Sequence, residues 1–97
     1  MRRQEAIRIL HDALPRLRAA YGVQDMAIFG SVARDEAGPD SDIDILVSLD
    51  RGVGLIKFSS LGSTLEELLG TKVDLLTWNS LNPRIRSCVE KDVIHVA

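Results

Sequence analysis

Two aspartates two residues apart lie in an apolar, strand-like stretch of this sequence, and a third lies in a similar stretch further on. Asp42 and Asp44 begin the segment DIDILVSL, in which apolar residues alternate with others. Because successive side chains of a strand point to opposite faces, these two carboxylates leave the same face, with Cα atoms roughly 6.5–7 Å apart. Asp74 occupies the middle of TKVDLLT. If the two strands are neighbours in matching register, three negative charges meet on one small surface.

Such a group of carboxylates is repulsive without a cation. Like charges at close range raise each other's pKa and destabilise the fold. Mg²⁺ removes the conflict, because it prefers oxygen ligands and accepts a few carboxylates together with substrate phosphates. Two ions roughly 3.5–4 Å apart activate an attacking oxygen and stabilise a leaving one. For an isolated D-x-D pair, however, a solvated strand face is the commoner explanation, so a second feature has to support the metal site.

That second feature is Gly30-Ser31, which follows the apolar stretch DMAIF and precedes a predicted helix. Gly30 has no side chain and therefore lets a ligand approach the backbone closely. The start of a helix presents unpaired N–H groups, and the Ser31 hydroxyl adds a donor, so a triphosphate fits there. Alone, this pair is more often a plain turn with an N-cap. Combined with D-x-D after ten intervening residues and Asp74 beyond, it predicts a site for phosphates and metal.

The elements that must position these residues follow from periodicity and from glycine and proline. Pro15 interrupts the first helical pattern and predicts two separate helical pieces there. In chain order we predict helices at 3–13 and 15–21, a strand at 25–29, a short helix at 31–35, a loop through Gly38-Pro39-Asp40-Ser41, a strand at 42–49, a helix at 55–69, a strand at 71–77, a helix at 83–91 and an edge strand at 92–96. Intermingled helices and strands predict an α/β (or α+β) fold, with a small mixed β-sheet flanked by helices.

Length and composition restrict the function classes. With 97 residues, 45% hydrophobic and 27% charged, the chain is expected to form one globular domain over residues 1–97. It has neither an apolar run of roughly 18–20 residues nor a hydrophobic N-terminal region, which favours a cytoplasmic protein without a membrane span. The net charge of −2 argues against binding of long nucleic acid. The single cysteine, Cys88, excludes an internal disulfide and a cysteine-based metal cluster.

The remaining polar and aromatic residues give weaker predictions. Arg34, Lys57 and Lys72 are candidates for phosphate contacts or are simply solvated, and Ser41 either braces the D-x-D strand or belongs to a turn. The N-terminal part of the chain carries five arginines, Arg2, Arg3, Arg8, Arg16 and Arg18. They would suit an acidic partner, but a solvated helix face is the better explanation. His11 and His95 have no partner at metal-ligand spacing and are interpreted as structural. Cys88 and Trp78 are interpreted as packing residues.

The stretch GSVARDEAGPDSDIDILV, residues 30–47, resembles the signature of the nucleotidyltransferase superfamily that includes DNA polymerase beta. It most closely resembles the minimal nucleotidyltransferases (MNT proteins) of bacteria and archaea, and the resemblance continues through KVDLL at residues 72–76 and covers most of the chain. One departure is Asp35, where the family often has glycine, which puts the local shape of the loop in doubt. Every carboxylate of the motif is present.

The resemblance implies a polymerase-beta-like nucleotidyltransferase fold and a role for each motif residue. Gly30 and Ser31 would hold the β- and γ-phosphates of a nucleoside triphosphate, ATP in this family. Asp42 and Asp44 would bind both Mg²⁺ ions. Asp74 would ligate the catalytic ion and help to orient or deprotonate the acceptor hydroxyl.

The resemblance also implies a partner. In the MNT family this is typically a HEPN-domain ribonuclease toxin encoded alongside, and the MNT protein acts as antitoxin by adding AMP from ATP to a tyrosine of the toxin. The short chain leaves no room for a separate acceptor-binding domain, so either a second copy in a homodimer or another macromolecule would hold the acceptor. Two alternatives stay open: a nucleotidyltransferase that acts on a small molecule, and a non-catalytic antitoxin that neutralises its partner by binding alone.

Overall fold

The computed structural model describes residues 1–38 and 40–96 of the chain. Its elements, in chain order, are α1 (Arg3–Tyr21), β1 (Val23–Phe29), α2 (Gly30–Ala33), β2 (Ile43–Leu49), α3 (Leu55–Leu69), β3 (Val73–Thr77), a 3₁₀ turn (Trp78–Ser80), α4 (Pro83–Asp92) and β4 (Ile94–His95). Helices and strands alternate along most of the chain, as the sequence predicted. Pro39, part of the predicted loop, and Ala97 lie outside the described residues.

The four strands form one mixed sheet in the order β3-β2-β1-β4. β1 runs antiparallel to both β2 and β4, while β2 and β3 are parallel. The parallel pair requires a crossover connection, and α3 supplies it. The predicted fold, a small mixed sheet flanked by helices, is therefore confirmed.

The first helix is continuous, so the prediction of two pieces broken at Pro15 is wrong. α1 runs from Arg3 to Tyr21 with Pro15 inside it. Pro15 and His11, whose carbonyl loses its helical partner to the proline ring, are both exposed, so water can satisfy that carbonyl. Leu14 and Leu17 continue the buried stripe across the proline. Packing of that stripe on the sheet outweighs the local cost of the proline.

The core lies between one face of the sheet and the two long helices. α1 contributes Leu10 and α3 contributes Leu61 and Leu65, and all three are fully buried. They pack with alternate residues of the central strands, including Met26, Ile28, Ile45 and Val47. Alternation in β2 sends its apolar residues into this core and sends Asp44 to the other face. The core therefore fixes which face of the sheet carries the carboxylates.

Several boundaries differ from the predicted ones at the ends of elements. β1 begins earlier, at Val23, and α2 is a single short turn that ends at Ala33. β4 contains only Ile94 and His95. Gly22 and Gly70 adopt the left-handed conformation, both at φ 69°, and end α1 and α3. In the part of the chain described, none of the helices is both long and apolar enough to cross a membrane.

Candidate active site

Asp44 and Asp74 lie side by side on neighbouring strands. β2 and β3 are parallel, and their register pairs Asp44 with Asp74. Residues in directly paired positions point to the same face of a sheet, so the two carboxylates share the face opposite the helical core. Asp42 lies immediately before β2, two residues from Asp44, and is exposed like Asp74, whereas Asp44 is half-buried. The predicted matching register of the two strands is therefore confirmed for Asp44 and Asp74.

Gly30 supplies the space that the Asp44 side chain occupies. β1 ends at Phe29, which pairs with Asp44 in the sheet, and Gly30 follows with φ 72°. A Cβ atom added at Gly30 would collide with Oδ2 of Asp44 and would lie 3.2 Å from its Cγ. Glycine is required here both for the left-handed backbone and for this contact. In this structure the Asp44 carboxylate therefore fills the space beside Gly30 that was predicted to receive a ligand.

The surroundings of Asp44 disfavour its charged form. Burial raises the pKa of the Asp44 carboxyl above its ordinary value. The negative charges of Asp74 and then Asp42 raise this pKa further. The positive charge of Arg34 opposes them and lowers it. The three carboxylates therefore repel one another in the metal-free protein, and a cation between them would relieve that repulsion.

Arg34 is the cation held near this group. It follows α2, and its Nη1 lies 2.8 Å from Oδ2 of Asp92, while its Nε lies 3.1 Å from Oε2 of Glu36. The guanidinium is therefore oriented by two acidic side chains at the edge of the site. From the sequence, Arg34 was a candidate for a phosphate contact or a solvated residue, and its ion pairs with Glu36 and Asp92 were not predicted. Asp92 is 58 residues away along the chain, so no local pattern could have indicated it.

The loop after Gly30-Ser31 is closed by its own hydrogen bonds. Ser31 is half-buried, and its carbonyl accepts from the Glu36 N–H at 2.8 Å. The Ser41 hydroxyl accepts from the Gly38 N–H at 3.0 Å, and the Ser41 N–H donates back to the Gly38 carbonyl at 3.2 Å. Ser41 thus belongs to the turn that leads into the D-x-D strand. Of its two interpretations, a brace for that strand or a turn residue, the structure supports the turn residue.

Asp35, the departure from the family pattern, takes the conformation that a glycine would take. Its φ is 59°, a left-handed value that aspartate tolerates better than most residues. Its Oδ1 accepts from the backbone N–H of Arg3 at 3.0 Å, and the Arg3 guanidinium donates to the Ala33 carbonyl at 3.2 Å. Asp35 therefore caps the first turn of α1, whose own N-cap, Arg2, makes no side-chain cap. The interpretation of Arg3 as part of a solvated face is therefore wrong, because both its backbone N–H and its guanidinium make hydrogen bonds within the protein.

We expect Asp35→Ala to lower the free energy of unfolding by about 1–2 kcal/mol, because alanine loses the cap and is strained at this φ. Asp35→Asn keeps a carbonyl oxygen and tolerates the backbone, so it should cost less than either Asp35→Ala or Asp35→Gly. Urea unfolding of the three variants measures this order. An alanine variant as stable as the wild type would contradict the capping role of Asp35.

The residues fit a magnesium ion that the protein and the substrate would bind together. They do not fit an ion that is enclosed by protein ligands alone. Within residues 1–38 and 40–96, no group of three or more His, Cys, Asp or Glu side chains is arranged to hold a metal ion by itself. Mg²⁺, however, usually binds through one or two carboxylates and completes its shell with water and substrate phosphates. The donor set of Asp42, Asp44 and Asp74, with a raised pKa at Asp44, has the chemistry that such shared binding needs.

The remaining candidates lie elsewhere on the surface. Lys57 is exposed on α3, and Lys72 is exposed and contributes its backbone carbonyl to the Ile43 N–H at 2.9 Å. His11 is exposed on α1. Cys88 is exposed, so the interpretation of Cys88 as a packing residue is wrong. Trp78 is half-buried and stacks on the exposed His95, with ring centroids 6.4 Å apart.

A cavity lies at the opposite ends of β2 and β3 from the carboxylates. Its volume is about 700 Å³, and its lining includes Leu49, Phe58, Leu75 and Trp78 but none of the five predicted site residues. The carboxylates themselves lie on an open face of the sheet. The carboxylate face, and not the cavity, is therefore the candidate site.

Comparison with known proteins agrees with this geometry. A family model described as the nucleotidyltransferase domain matches residues 8–96. The protein adenylyltransferase MntA of Thermococcus cleftensis is 44% identical over 80 residues, which cover 82% of this chain and 81% of the relative. A solved structure described as a minimal nucleotidyltransferase has a TM-score of 0.81 and 39% identity, covering 97% of this chain and 95% of that one.

A more distant structure shares the fold. One chain of the Shewanella oneidensis complex between a tri-AMPylated HEPN toxin and an MNT antitoxin superposes with a TM-score of 0.61 at 23% identity, over 98% of this chain and 68% of that chain. At this identity the likeness concerns the fold alone. The family model and the closer relatives decide membership: the chain belongs to the nucleotidyltransferase domain family, among its minimal nucleotidyltransferases, and is an enzyme of that class.

Proposed function

We propose that this chain is a Mg²⁺-dependent protein adenylyltransferase that moves AMP from ATP onto a tyrosine hydroxyl of a cognate HEPN-domain ribonuclease toxin. In this role it acts in the cytoplasm as the antitoxin of the pair. The observation that carries the proposal is the register pair of Asp44 and Asp74 beside Gly30. A protein that acted by binding alone would gain nothing from carboxylates that repel one another on an open face.

The residues divide the work of the reaction between them. The backbone at Gly30 and Ser31 holds the β- and γ-phosphates, and Arg34 at the end of the same turn adds a positive charge to that end of the site. Mg²⁺ held by Asp42, Asp44 and Asp74 would neutralise the triphosphate and lower the pKa of the acceptor hydroxyl. Phosphoryl-type transfer needs little covalent chemistry from the protein, so positioning and charge neutralisation are its main contributions.

The bond changes follow from the two substrates. The acceptor oxygen forms a bond to the α-phosphorus of ATP, the bond from that phosphorus to the bridging oxygen of the β-phosphate breaks, and pyrophosphate leaves. Asp74 is the carboxylate best placed to orient the acceptor and receive its proton, because it is exposed at the open edge strand of the sheet. Solvent then removes the proton from Asp74.

The choice of a toxin as acceptor rests on the relatives. The Thermococcus cleftensis relative is a protein adenylyltransferase, and the Shewanella oneidensis complex pairs an MNT antitoxin with an AMPylated HEPN toxin. Within the part of the chain that the structure describes, one sheet and its helices account for every element, and none forms a separate acceptor-binding unit. In this proposal the toxin itself presents the hydroxyl.

The test incubates the purified chain with Mg²⁺, labelled ATP and the HEPN-domain protein encoded next to it. We expect label on the partner, a mass increase of one or more AMP units on a tyrosine, and loss of the partner's ribonuclease activity. Asp42→Asn should remove the label and the neutralisation together. If Asp42→Asn neutralises the partner as well as the wild type does, the chain acts by binding. Label on a small molecule but not on the partner would favour a small-molecule nucleotidyltransferase.

A further inference from the structure

A second row of side chains crosses the sheet next to the row that holds the carboxylates. The strand registers align Leu76 with Leu46, Leu46 with Ala27, and Ala27 with His95, so this row runs across all four strands. Leu46 lies two residues beyond Asp44 on β2 and therefore points to the same face. The two rows are separated by roughly 6.5–7 Å along the strands.

Two aromatic side chains, one of them at the end of this second row, stack on each other. Trp78 directly follows β3 at one edge of the sheet, and His95 lies on β4 at the other edge. Their centroids are 6.4 Å apart and their planes differ by 19°, so the two side chains together span the central strands. Ala27 and Leu46 beneath them are fully buried, although neither belongs to the core under α1 and α3. Because His95 pairs with Ala27 in the second row, the stacked pair lies on the face of the sheet that carries the carboxylates.

The position of Trp78 is fixed by contacts of its backbone. Its carbonyl accepts from Nη2 of Arg86 at 2.6 Å, and it begins the 3₁₀ turn in which Ser80 Oγ donates to the Thr77 carbonyl at 2.8 Å. His95 is exposed and Trp78 only half-buried, so part of the aromatic surface is open to solvent. The cavity of about 700 Å³ also adjoins Trp78 and leaves room beside the indole. The backbone of Trp78 is therefore held in place, and part of the aromatic pair is accessible.

We propose that Trp78 and His95 form the subsite for the purine base of the nucleoside triphosphate. This inference rests on the proposed function and extends it to the nucleoside. In a nucleotide, one ribose separates the α-phosphate from the base, and here the row that holds Asp44 and the row that holds His95 are neighbours on one face, roughly 6.5–7 Å apart. A base stacks on aromatic rings through its π-face, and a purine offers the larger face. The triphosphate end would then lie toward Gly30 and the base toward His95.

Trp78 is the single tryptophan of the chain, so its fluorescence reports directly on this subsite. The wild-type protein is titrated, with Mg²⁺ present, with an ATP analogue that carries a methylene bridge between the α- and β-phosphates, and separately with inorganic triphosphate. We expect the analogue to quench Trp78 fluorescence. Inorganic triphosphate should bind, as measured by calorimetry, without quenching, because it has no base.

Two variants and one control complete the test by calorimetry. His95→Ala and Trp78→Leu should each weaken binding of the analogue by roughly tenfold, while inorganic triphosphate binds within about twofold of wild type. Trp78→Phe should lose less than Trp78→Leu, because phenylalanine can still stack. His11→Ala, a change at the exposed histidine of α1, should alter neither ligand.

The outcomes separate the two proposals. If both ligands bind the wild type without quenching by the analogue, and His95→Ala and Trp78→Leu leave the affinity for the analogue unchanged, the base does not contact this pair and the inference fails alone. If neither ligand binds the wild type, the proposed function fails, and the nucleoside subsite fails with it.

Discussion

Asp44→Asn should reduce adenylyl transfer on the order of 1,000-fold while the folded structure persists. Asp44 is the central carboxylate of the group, paired with Asp74 on β3 and two residues from Asp42. Asparagine keeps the shape of the side chain and its place against Gly30 but removes the negative charge that attracts the metal. The rate of label transfer to the HEPN-domain partner measures the loss. Asp25→Asn, at an exposed position of β1, is the matched control and should transfer at the wild-type rate.

The same substitution should stabilise the protein when magnesium is absent. Like charges in paired positions of a sheet cost roughly 0.5 kcal/mol, which corresponds to a rise in Tm of about 2–4 °C for a domain of this size when one charge is removed. We therefore expect Asp44→Asn to melt above wild type in EDTA. Added Mg²⁺ should raise the Tm of the wild type but not that of Asp44→Asn. An active site commonly stores repulsion that its ligand relieves, so loss of activity with gain of stability would mark these carboxylates as functional.

The pH dependence of this gain follows from the raised pKa of Asp44. A carboxyl with a raised pKa in the folded state binds its proton more tightly there than in the unfolded chain. Its destabilising effect is full above the raised pKa and disappears as the pH falls toward the ordinary value near 3.9. The Tm advantage of Asp44→Asn in EDTA should be full at neutral and alkaline pH and should shrink as the pH is lowered. An Asp44→Asn variant that is inactive and also less stable than wild type at every pH would indicate structural damage instead.

The carboxylate face could be predicted because it depends on short-range rules. The period of two along a strand places Asp42 and Asp44 on one face whatever the rest of the fold does. The alternation of TKVDLLT puts Asp74 opposite to the buried side in the same way. That the two strands are neighbours in matching register had to be assumed from the sequence. The parallel pairing of Asp44 with Asp74 confirms this assumption. The helix α3 between them makes that pairing parallel.

The features that were missed depend on contacts between distant parts of the chain. Continuity of α1 through Pro15 comes from the packing of its buried leucines on the sheet, which local preferences do not contain. The ion pair of Arg34 with Asp92 and the stack of Trp78 on His95 both bring the C-terminal segment onto the site face. No spacing in the sequence marks either pair, because each joins elements that meet only after the sheet has formed.

Gly30→Ala is expected to be the second variant with a large effect, because two separate requirements meet at this position. Alanine at φ 72° is strained by roughly 1–2 kcal/mol, and its Cβ would collide with the Asp44 carboxylate. The carboxylate is the end of a side chain, so it can rotate away, but it then leaves its position beside Asp74. We expect the free energy of unfolding to fall by about 1–3 kcal/mol and adenylyl transfer to fall at least about 100-fold.

Gly70→Ala separates the two requirements. Gly70 ends α3 at φ 69°, nearly the same backbone conformation, but nothing lies within 4 Å of a Cβ added there. Gly70→Ala should therefore lose about 1–2 kcal/mol of stability through strain while transfer remains near the wild-type rate. Urea unfolding and the label-transfer assay on the same preparations compare the two variants directly. Equal losses of activity in both would show that strain alone, and not the contact with Asp44, explains the glycine at position 30.

A double substitution tests the contact itself. In an Asp44→Ala background the carboxylate is gone, so Gly30→Ala should cost only the backbone strain, close to the cost of Gly70→Ala. The difference between the cost of Gly30→Ala in the wild type and in Asp44→Ala is the coupling between the two residues. We expect this coupling to be positive, because the added methyl group and the carboxylate compete for one space next to Phe29. A coupling of zero would mean that Asp44 accommodates the methyl group without cost, and the proposed link between the glycine turn and the position of the carboxylate would have to be abandoned.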